Sequence, residues 1–290
     1  MDRNELALII SELYGSVEGN TVDYTDPSDG KEKKLVMYDE PIFGISNAAD
    51  PLYGSFKSEN IIGPWYRTPA EWLEGAHSVI SVFFPASAAV REANRRSSRT
   101  ASREWAYARI EGQRFIGAFM TELAKRLSEQ GIKCIYPSGD PGFFSITAGK
   151  GSGDSPKDPE TGLYPGASDT TFGSCWSERH AAFVSGLGTF GMSRGLITRR
   201  GMAGRYGSLV TDADLQPDTR DYTDPYEYCI KCGACAKRCP VGAIPKDAPK
   251  DHTVCAPWIT ATQRELAPRY GCGLCQTDVP CEYQIPKRND

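Results

Sequence analysis

Near the C-terminal end of the 290-residue chain stands the stretch Cys229-Ile-Lys-Cys232-Gly-Ala-Cys235-Ala-Lys-Arg-Cys239-Pro240. Its cysteines follow the spacing C-x2-C-x2-C-x3-C-P, which is typical of ligand runs for 4Fe-4S clusters. The short intervals allow the first three thiolates to face one cuboidal cluster from a tight loop, whereas the fourth, before Pro240, faces a neighbouring cluster. The stretch therefore predicts two 4Fe-4S clusters in the C-terminal part of the chain.

Four more cysteines follow this run and complete two sets of ligands. We expect the first cluster to be held by the first three thiolates of the run and the last cysteine in the sequence. The fourth thiolate of the run then joins the remaining three on the second cluster. The predicted sets are Cys229, Cys232, Cys235 and Cys281 for the first cluster, and Cys239, Cys255, Cys272 and Cys275 for the second.

A pair of structural zinc sites is the alternative interpretation of these cysteines. Zinc commonly uses two C-x2-C pairs separated by a longer spacer, often with histidine. Three cysteines in consecutive C-x2-C steps followed by Cys-Pro do not suit one tetrahedral zinc ion, so the spacing favours iron–sulfur clusters. Of the two cysteines outside the sets, Cys134 is predicted to be a buried, inert thiol, and Cys175 receives no assigned role.

Composition and charge limit the class of protein. With 40% hydrophobic and 24% charged residues, the chain can bury one sizeable core and a second, smaller unit. The formal net charge of −4 lacks the basic footprint of a nucleic-acid binder, and no apolar run approaches the roughly 18 residues that span a bilayer. Residues 1–5 carry neither part of an export signal, so we expect a cytoplasmic protein with reduced thiols and no membrane or nucleic-acid partner.

The pattern along the chain predicts an α+β protein with two units. Residues 1–215 form an α/β unit for a cofactor and substrate, and residues 216–290 form the cluster unit. Between 137 and 174, 13 of 38 residues are Gly or Pro, which indicates a long lid or binding loop. The predicted helices cover about 5–14, 102–130 and 177–185, and the predicted strands cover 78–84, 132–136 and 206–210.

The segment from 174 to 191 contains the residues most suited to chemistry. Ser177 is a good N-cap, which places Glu178 and Arg179 in the first turn of a helix. Glu178 is a candidate proton donor, although a glutamate in a first turn is also favoured by the helix dipole alone. Arg179 could orient Glu178, bind an anion or form a surface ion pair. His180 is predicted to pack in the core.

Three glycines and Phe190 follow this helix, and Trp176 precedes it. Gly186, Gly188 and Gly191 allow a close approach to a flat ligand. Trp176 and Phe190 could stack on such a ligand, but they could equally belong to the core. The glycines follow a helix rather than open one, so a dinucleotide-binding fingerprint is disfavoured.

The order of these motifs resembles a known family. Glu178-Arg179 stands six residues before Gly186-Leu187-Gly188, and Leu209-Val-Thr-Asp212 leads towards the cysteines. The run closes with Cys239-Pro-Val-Gly-Ala-Ile244, and Cys255-Ala-Pro-Trp-Ile-Thr260 precedes the second group. This succession is similar to that of the cobalamin-dependent epoxyqueuosine reductases and, more distantly, the reductive dehalogenases.

The resemblance implies a nitroreductase-like α/β domain that cradles a cobalamin, followed by a small bacterial ferredoxin-like domain whose two clusters supply electrons. It also implies that Glu178 is the proton donor near the cobalt, at a position where Asp is more usual. Around the cofactor we expect a set of binding residues from the same segment. They are Trp176, Arg179, Gly186, Gly188, Phe190 and Gly191.

Departures from the family pattern shape the expected function. The sequence ends nine residues after Cys281, and the interval from Cys275 to Cys281 is longer than is usual. We therefore expect a short, stand-alone reductase of a small molecule, supplied by an external donor such as ferredoxin or flavodoxin. Two alternatives stay open: an electron-transfer protein that reductively activates a separate corrinoid or redox enzyme, and a cofactor-storage or sensor protein.

The predicted long helix and the segment before it carry a second candidate group. Tyr107 is a possible second proton donor, with core packing as the alternative. Seven arginines lie between 91 and 114, and they could grip phosphate or carboxylate groups, form a solvated face or dock an acidic electron donor. They are Arg91, Arg95, Arg96, Arg99, Arg103, Arg109 and Arg114.

Overall fold

The computed structural model describes residues 1–26 and 29–287. Its strands are β1 Thr21–Thr25, β2 Glu32–Val36, β3 Ile42–Asn47, β4 Ser78–Pro85, β5 Cys134–Ile135, β6 Ser145–Thr147, β7 Lys150–Gly151, β8 Phe172–Ser174, β9 Gly188–Phe190, β10 Leu196–Thr198 and β11 Gly204–Thr211. Its α-helices are α1 Arg3–Ser16, α2 Pro51–Ser55, α3 Pro69–Trp72, α4 Ala88–Arg95, α5 Arg103–Ser128, α6 Glu178–Val184, α7 Ala234–Lys237, α8 His252–Ala261 and α9 Gln263–Leu266. Short 3-10 turns cover Pro137–Gly139 and Leu274–Gln276.

A four-stranded antiparallel sheet in the order β3-β4-β11-β5 forms the centre of the larger unit. Every residue of β4 is buried, as its nearly continuous apolar sequence requires, and β11 pairs with it from Gly204 opposite Pro85 to Thr211 opposite Ser78. Helix α5 covers one face of the sheet and α6 covers the other. The larger unit is thus a helix–sheet–helix sandwich.

Helix α5 approaches the sheet closely because β11 carries Gly207 at the contact. A Cβ atom on Gly207 would lie 2.7 Å from Cγ of Met120. The helix starts at its N-cap Ser102, whose hydroxyl accepts a hydrogen bond from the amide of Trp105 at 3.1 Å. Fully buried side chains, including Phe119 and Leu123, then fill the space against the strands. Burial of this apolar face stabilises the sandwich.

The structure confirms the mixed α+β class and most of the predicted elements. The helices expected near 5–14, 102–130 and 177–185 correspond to α1, α5 and α6, and the strands at 78–84 and 206–210 correspond to β4 and β11. The strand expected at 132–136 is shorter, since β5 pairs with the end of β11 over two residues only. The segment 137–174 is more ordered than a simple loop, because β6, β7 and β8 form a small sheet within it.

The segment 212–224, which spans the predicted boundary between the two units, packs along the larger unit. Leu215 and Tyr222 are 3% and 5% exposed. The carboxylate of Asp218 accepts hydrogen bonds from Nε of Arg3 at 2.6 Å and from the amide of Ile45 at 3.0 Å. The segment therefore lies fixed on the surface of the sandwich, and the boundary between 215 and 216 stays a prediction.

The C-terminal segment also returns to the larger unit. The amide of Met202 donates to the carbonyl of Cys281 at 2.9 Å. Glu282 is 1% exposed, and its carboxylate pairs with Arg95 at 2.8 Å and with Arg91 at 3.3 Å. These contacts hold the cysteine-bearing segment against α4. Among the described residues, no helix has both the length and the apolar character needed to cross a bilayer.

Candidate functional site

A cavity of about 610 Å³ is bordered by residues of both parts of the chain. Arg205 and Tyr206 of β11 line it together with Glu178 at the start of α6, and Trp105 lines it from α5. Cysteines of the C-terminal segment complete the wall. They are Cys239, Cys255, Cys272 and Cys275. The cavity has the size of pockets that hold small-molecule ligands, and it brings possible redox ligands and a carboxylate to one space.

The other cysteines of the C-terminal segment border a second, much smaller cavity. They are Cys229, Cys232, Cys235 and Cys281. The structure thus separates the eight cysteines into two groups of four, here called the outer group for the set at the smaller cavity and the inner group for the set at the larger one. These groups have the membership assigned to the two clusters from the sequence. Their occupation by iron–sulfur clusters stays a prediction.

Burial dominates the electrostatics of the thiols. Burial, together with the neighbouring thiols Cys235, Cys229 and Cys232, raises the pKa of Cys281 to about 12. Burial likewise raises the pKa of Cys272 to about 11. Clustered soft thiols that are hard to ionise alone are suited to iron, since a coordinating metal deprotonates a thiol outright. Within the described ranges, no three His, Cys, Asp or Glu side chains converge closely enough to hold a single metal ion.

Glu178 is held at the large cavity by hydrogen bonds from two serines of distant segments. Its Oε1 accepts from Oγ of Ser138 at 2.5 Å, and its Oε2 accepts from Oγ of Ser208 at 2.6 Å. Burial raises the pKa of Glu178 to about 7, against the lowering effect of both serines. A carboxyl group with such a pKa can hold and release a proton near neutral pH.

Trp176 supports this arrangement from the core. Its indole is 2% exposed and stacks with the rings of Tyr53 at 6.1 Å and Tyr66 at 5.8 Å. Its Nε1 donates to Oγ of Ser208 at 2.9 Å, which aligns the serine that bonds Glu178. The structure therefore gives Trp176 a packing and positioning place, and since Trp176 also lines the large cavity, its stacking on a ligand stays a prediction.

The structure distributes the other predicted cofactor residues over different places. Arg179 is exposed and lines the large cavity. Gly191 borders the smaller cavity. Gly186 lies in the turn after α6, and Phe190 packs on the ring of His180 at 4.9 Å. Gly188 allows β9 and β10 to pair, since a Cβ there would lie 1.9 Å from the carbonyl oxygen of Ile197, so its reason for being glycine is a backbone contact.

Tyr107 points to a different environment from Glu178. The guanidinium of Arg269 lies 3.8 Å from the centre of its ring, and Tyr24 packs beside it at 5.4 Å. Tyr107 is outside the lining of the large cavity, whereas Arg109 and Gln113 on the same helix line it. The prediction of Tyr107 as a proton donor at this site is not supported, because the helix turns its ring away. Tyr136, which follows β5, lines the cavity instead.

The seven arginines between 91 and 114 do not act as one patch. Arg91 and Arg95 pair with the buried Glu282, and Arg99 lies over the ring of Trp258 at 5.7 Å. Only Arg109 of the seven lines the large cavity. The remaining three are exposed: Arg96, Arg103 and Arg114.

Sequence reasoning missed several residues of the cavity wall. Ser138 and Ser208 hold Glu178, Tyr136 and Arg205 line the cavity, and His252 borders it beside the inner group. Burial lowers the pKa of His252 to about 4, so its imidazole is neutral at pH 7. A weak signal existed only for Ser138, which lies in the segment expected to form a lid. The others carry no local pattern, because the fold alone brings them together.

Comparison with known proteins identifies relatives in sequence. Residues 223–244, which contain the whole cysteine run from Cys229 to Pro240, match the family model described as 4Fe-4S binding domain. The epoxyqueuosine reductase of Francisella cf. novicida (strain Fx1) is 31% identical over 122 residues, which cover 38% of this chain and 33% of that protein. The chain thus matches about a third of the length of this curated relative.

Solved structures show the same fold at low sequence identity. Epoxyqueuosine reductase from Bacillus subtilis superimposes with a TM-score of 0.50 and 15% identity, covering 98% of this chain and 68% of that chain. A catabolic reductive dehalogenase in complex with 3-bromo-4-hydroxybenzoic acid gives a TM-score of 0.52 and 14% identity, covering 97% and 37%. The chain is therefore similar in sequence to part of an epoxyqueuosine reductase, has the α+β fold seen in epoxyqueuosine reductase and reductive dehalogenase structures, and contains a segment that matches a 4Fe-4S binding domain.

Proposed function

We propose that the chain is an iron–sulfur oxidoreductase that passes electrons through two 4Fe-4S clusters to a cobalamin-type cofactor and reduces a small molecule. In this proposal the larger unit is a nitroreductase-like domain, and the C-terminal unit is ferredoxin-like. One observation carries it: the inner cysteine group and Glu178 line the same cavity. A source of electrons and a source of protons then face one ligand.

The residues of the cavity fit a large, flat cofactor with polar edges. Aromatic side chains of Trp105 and Tyr206 stand among the lining residues, and Gln113 adds a polar amide to the wall. When bound, a cobalamin would supply a strongly reducing metal centre for the chemical step. The protein would supply the binding surface, the orientation and the electrostatics.

Glu178 would hold the proton that the reduction consumes. Ser138 and Ser208 fix both carboxyl oxygens, so the group keeps one orientation towards the cavity. Its pKa of about 7 leaves a substantial protonated fraction at neutral pH. As negative charge develops on a substrate, the proton would leave the Glu178 carboxyl group and the carboxylate would accept the two serine hydrogen bonds more strongly.

Electrons would enter at the outer cysteine group. Cys232 is exposed, and the exposed Lys231 and Lys237 flank it. This basic surface suits an acidic donor such as a ferredoxin or flavodoxin, in keeping with a cytoplasmic location. Burial raises the pKa of Cys235 in the outer group, and Cys275 of the inner group lies close enough to add to this rise. The two groups are thus neighbours, as a two-step electron path requires.

Cobalamin titration of the cluster-loaded protein tests the proposal. Anaerobically reconstituted protein should contain about eight irons per chain, change the cobalamin absorbance spectrum and retain the cofactor on gel filtration. No spectral change together with no retention would contradict the proposal. Reduction of substrate by the protein alone with a chemical reductant separates it from the alternative of an activator of another enzyme.

Replacement of Glu178 tests the proton step. Glu178→Gln should lower turnover about 10²-fold or more with unchanged iron content and cobalamin binding, because the amide cannot donate a carboxyl proton. Glu129→Gln, at the exposed end of α5, is the matched control and should leave turnover unchanged. Equal turnover in the two variants would remove the assigned role.

A further inference from the structure

The large cavity has an excess of basic side chains in its wall. Four basic residues line it: Arg109, Arg179, Arg205 and Lys250. Among the described lining residues, Glu178 is the single acid. Of these four, the long helix and the central sheet supply Arg109 on α5 and Arg205 on β11.

Arg205 and Arg109 approach each other from the sheet and from α5. Arg205 Nη1 donates to Oε1 of Gln113 at 3.0 Å, one helical turn beyond Arg109. The buried Nε of Arg109 has no hydrogen-bond partner among the described residues, and its guanidinium lies over the ring of Tyr270 at 4.7 Å. No described carboxylate lies within ion-pair distance of either arginine.

Two guanidinium groups in this position are costly for the protein alone. Burial lowers the pKa of Arg205, and the charges of Arg109 and Arg179 lower it further. A desolvated cation is normally compensated by an anion with good hydrogen-bond geometry. Guanidinium groups present forked donors that match carboxylate and phosphate oxygens. The pair therefore has the donor chemistry of an anion-binding site.

We infer that Arg205, Arg109 and Gln113 form a binding site for a carboxylate or phosphate group of the molecule that occupies the large cavity. The inference deepens the proposed function, on which it rests for the identity of the cavity as a ligand site. Glu178 contacts Ser208 on the α6 side of β11, whereas Arg205 contacts α5 on the other side. The anion site is thus separate from the proton donor and fixes the far end of the bound molecule.

Phosphate binding measures this site without turnover and without cobalamin. Isothermal titration of the cluster-loaded protein with inorganic phosphate should show binding that weakens at least tenfold in Arg205→Gln and in Arg109→Gln. Arg114→Gln, exposed on the same helix, is the matched control and should bind phosphate as the unchanged protein does. Arg205→Lys retains the positive charge but not the forked donors. Its phosphate affinity should therefore lie between that of Arg205→Gln and that of the unchanged protein. Equal binding in Arg205→Gln and Arg114→Gln, or no binding by the unchanged protein, would overturn the inference.

The anion could belong to the substrate or to the phosphate of the cofactor's nucleotide tail. Cobinamide, which lacks that tail, separates these sources. If Arg205→Gln binds cobalamin more weakly but binds cobinamide unchanged, the site is supported and its anion is the phosphate of the cofactor. If Arg205→Gln binds cobalamin and cobinamide as the unchanged protein does but loses phosphate binding, the site is supported and its anion belongs to the substrate. Phosphate binding by a protein that binds no cobalamin contradicts the proposed function and leaves the anion site standing.

Discussion

The two parts of the chain are stabilised by different means. In the larger unit, α5 and the central sheet bury a broad apolar core that includes Phe84, Phe119 and Leu123. In the C-terminal part, no residue of α8 is buried, and the small apolar cluster there contains Ile244, Val279 and cysteines. Hydrophobic burial can specify the first part, whereas the second depends on what its thiols bind. The comparison teaches that the large cavity has one wall held by apolar packing and another whose stability we expect to depend on the proposed clusters.

Loss of a cluster should give the largest difference between the two parts. Cys235→Ser removes a buried thiol of the outer group, so the iron content should fall from about eight to about four per chain. Hydrogen exchange should accelerate in residues 229–286 and stay slow in β4 and β11. Cys134→Ser, in β5 and outside both groups, is the control and should retain all the iron. Full iron content in Cys235→Ser would contradict the ligand assignment.

Deletion of a buried side chain from the helix–sheet–helix sandwich should destabilise the larger unit rather than the C-terminal part. Phe119 is 0% exposed and packs against Phe84 with ring centres 5.1 Å apart. Phe119→Ala should lower the free energy of unfolding of the larger unit by about 3–5 kcal/mol, because a buried aromatic ring is deleted. Thermal melting checks this, with Leu8→Ala at a 65% exposed position as the control. A melting temperature equal to that of the control would show that the core does not stabilise this unit as described.

The contact between the two parts should be measurable at Glu282. Glu282→Gln leaves Arg91 and Arg95 facing a neutral amide in a largely buried contact. We expect a loss of about 2 kcal/mol, less than the roughly 3–5 kcal/mol for breaking a fully buried pair, because Arg95 is partly exposed. Denaturant unfolding measures the loss, and Glu129→Gln at the exposed end of α5 serves as the control. No change in stability would mean that this pair does not hold the segment to α4.

The smallest expected effect is a pH dependence of stability from Glu178. Burial raises its pKa from the ordinary value of 4.5 to about 7, so between these values the folded chain holds a proton that the unfolded chain has released. The contribution of Glu178 to stability is therefore present below about pH 4.5 and is lost as the pH rises through about 7. The difference in unfolding free energy between the unchanged protein and Glu178→Gln should follow this window. A difference that is constant with pH would contradict the raised pKa.

Local patterns in the sequence identified the features that depend on the spacing of nearby residues. The cysteine run divides its thiols by spacing alone, and helix α5 is marked by its Ser102 cap and its apolar face. The position of Glu178 was accessible for the same reason, since Ser177 and the following residues indicate a helix start. The cluster motif and the main helices were therefore predictable without the fold.

Long-range placement explains what the sequence did not reveal. Ser138 and Ser208 reach Glu178 from separate parts of the chain, and neither has a distinctive neighbourhood. Tyr107 and Arg109 are two residues apart on one helix, so the phase of that helix against the sheet decides which of them meets the cavity. Gly188 was interpreted as an approach for a ligand, but the approaching group is the carbonyl of Ile197. Such assignments depend on which backbone lies opposite, and the local sequence does not contain that information.

The packed connection at 212–224 has a mechanical consequence. Hydrogen bonds of Asp218 and the buried Tyr222 hold it to the sandwich, while Glu282 anchors the far end of the cysteine segment. The iron-binding part is thus fastened at both of its ends, and it cannot swing away from the cavity as a tethered carrier would. Electrons would then transfer over a fixed distance. The transfer rate would depend on that distance and not on how often a mobile carrier meets the cavity.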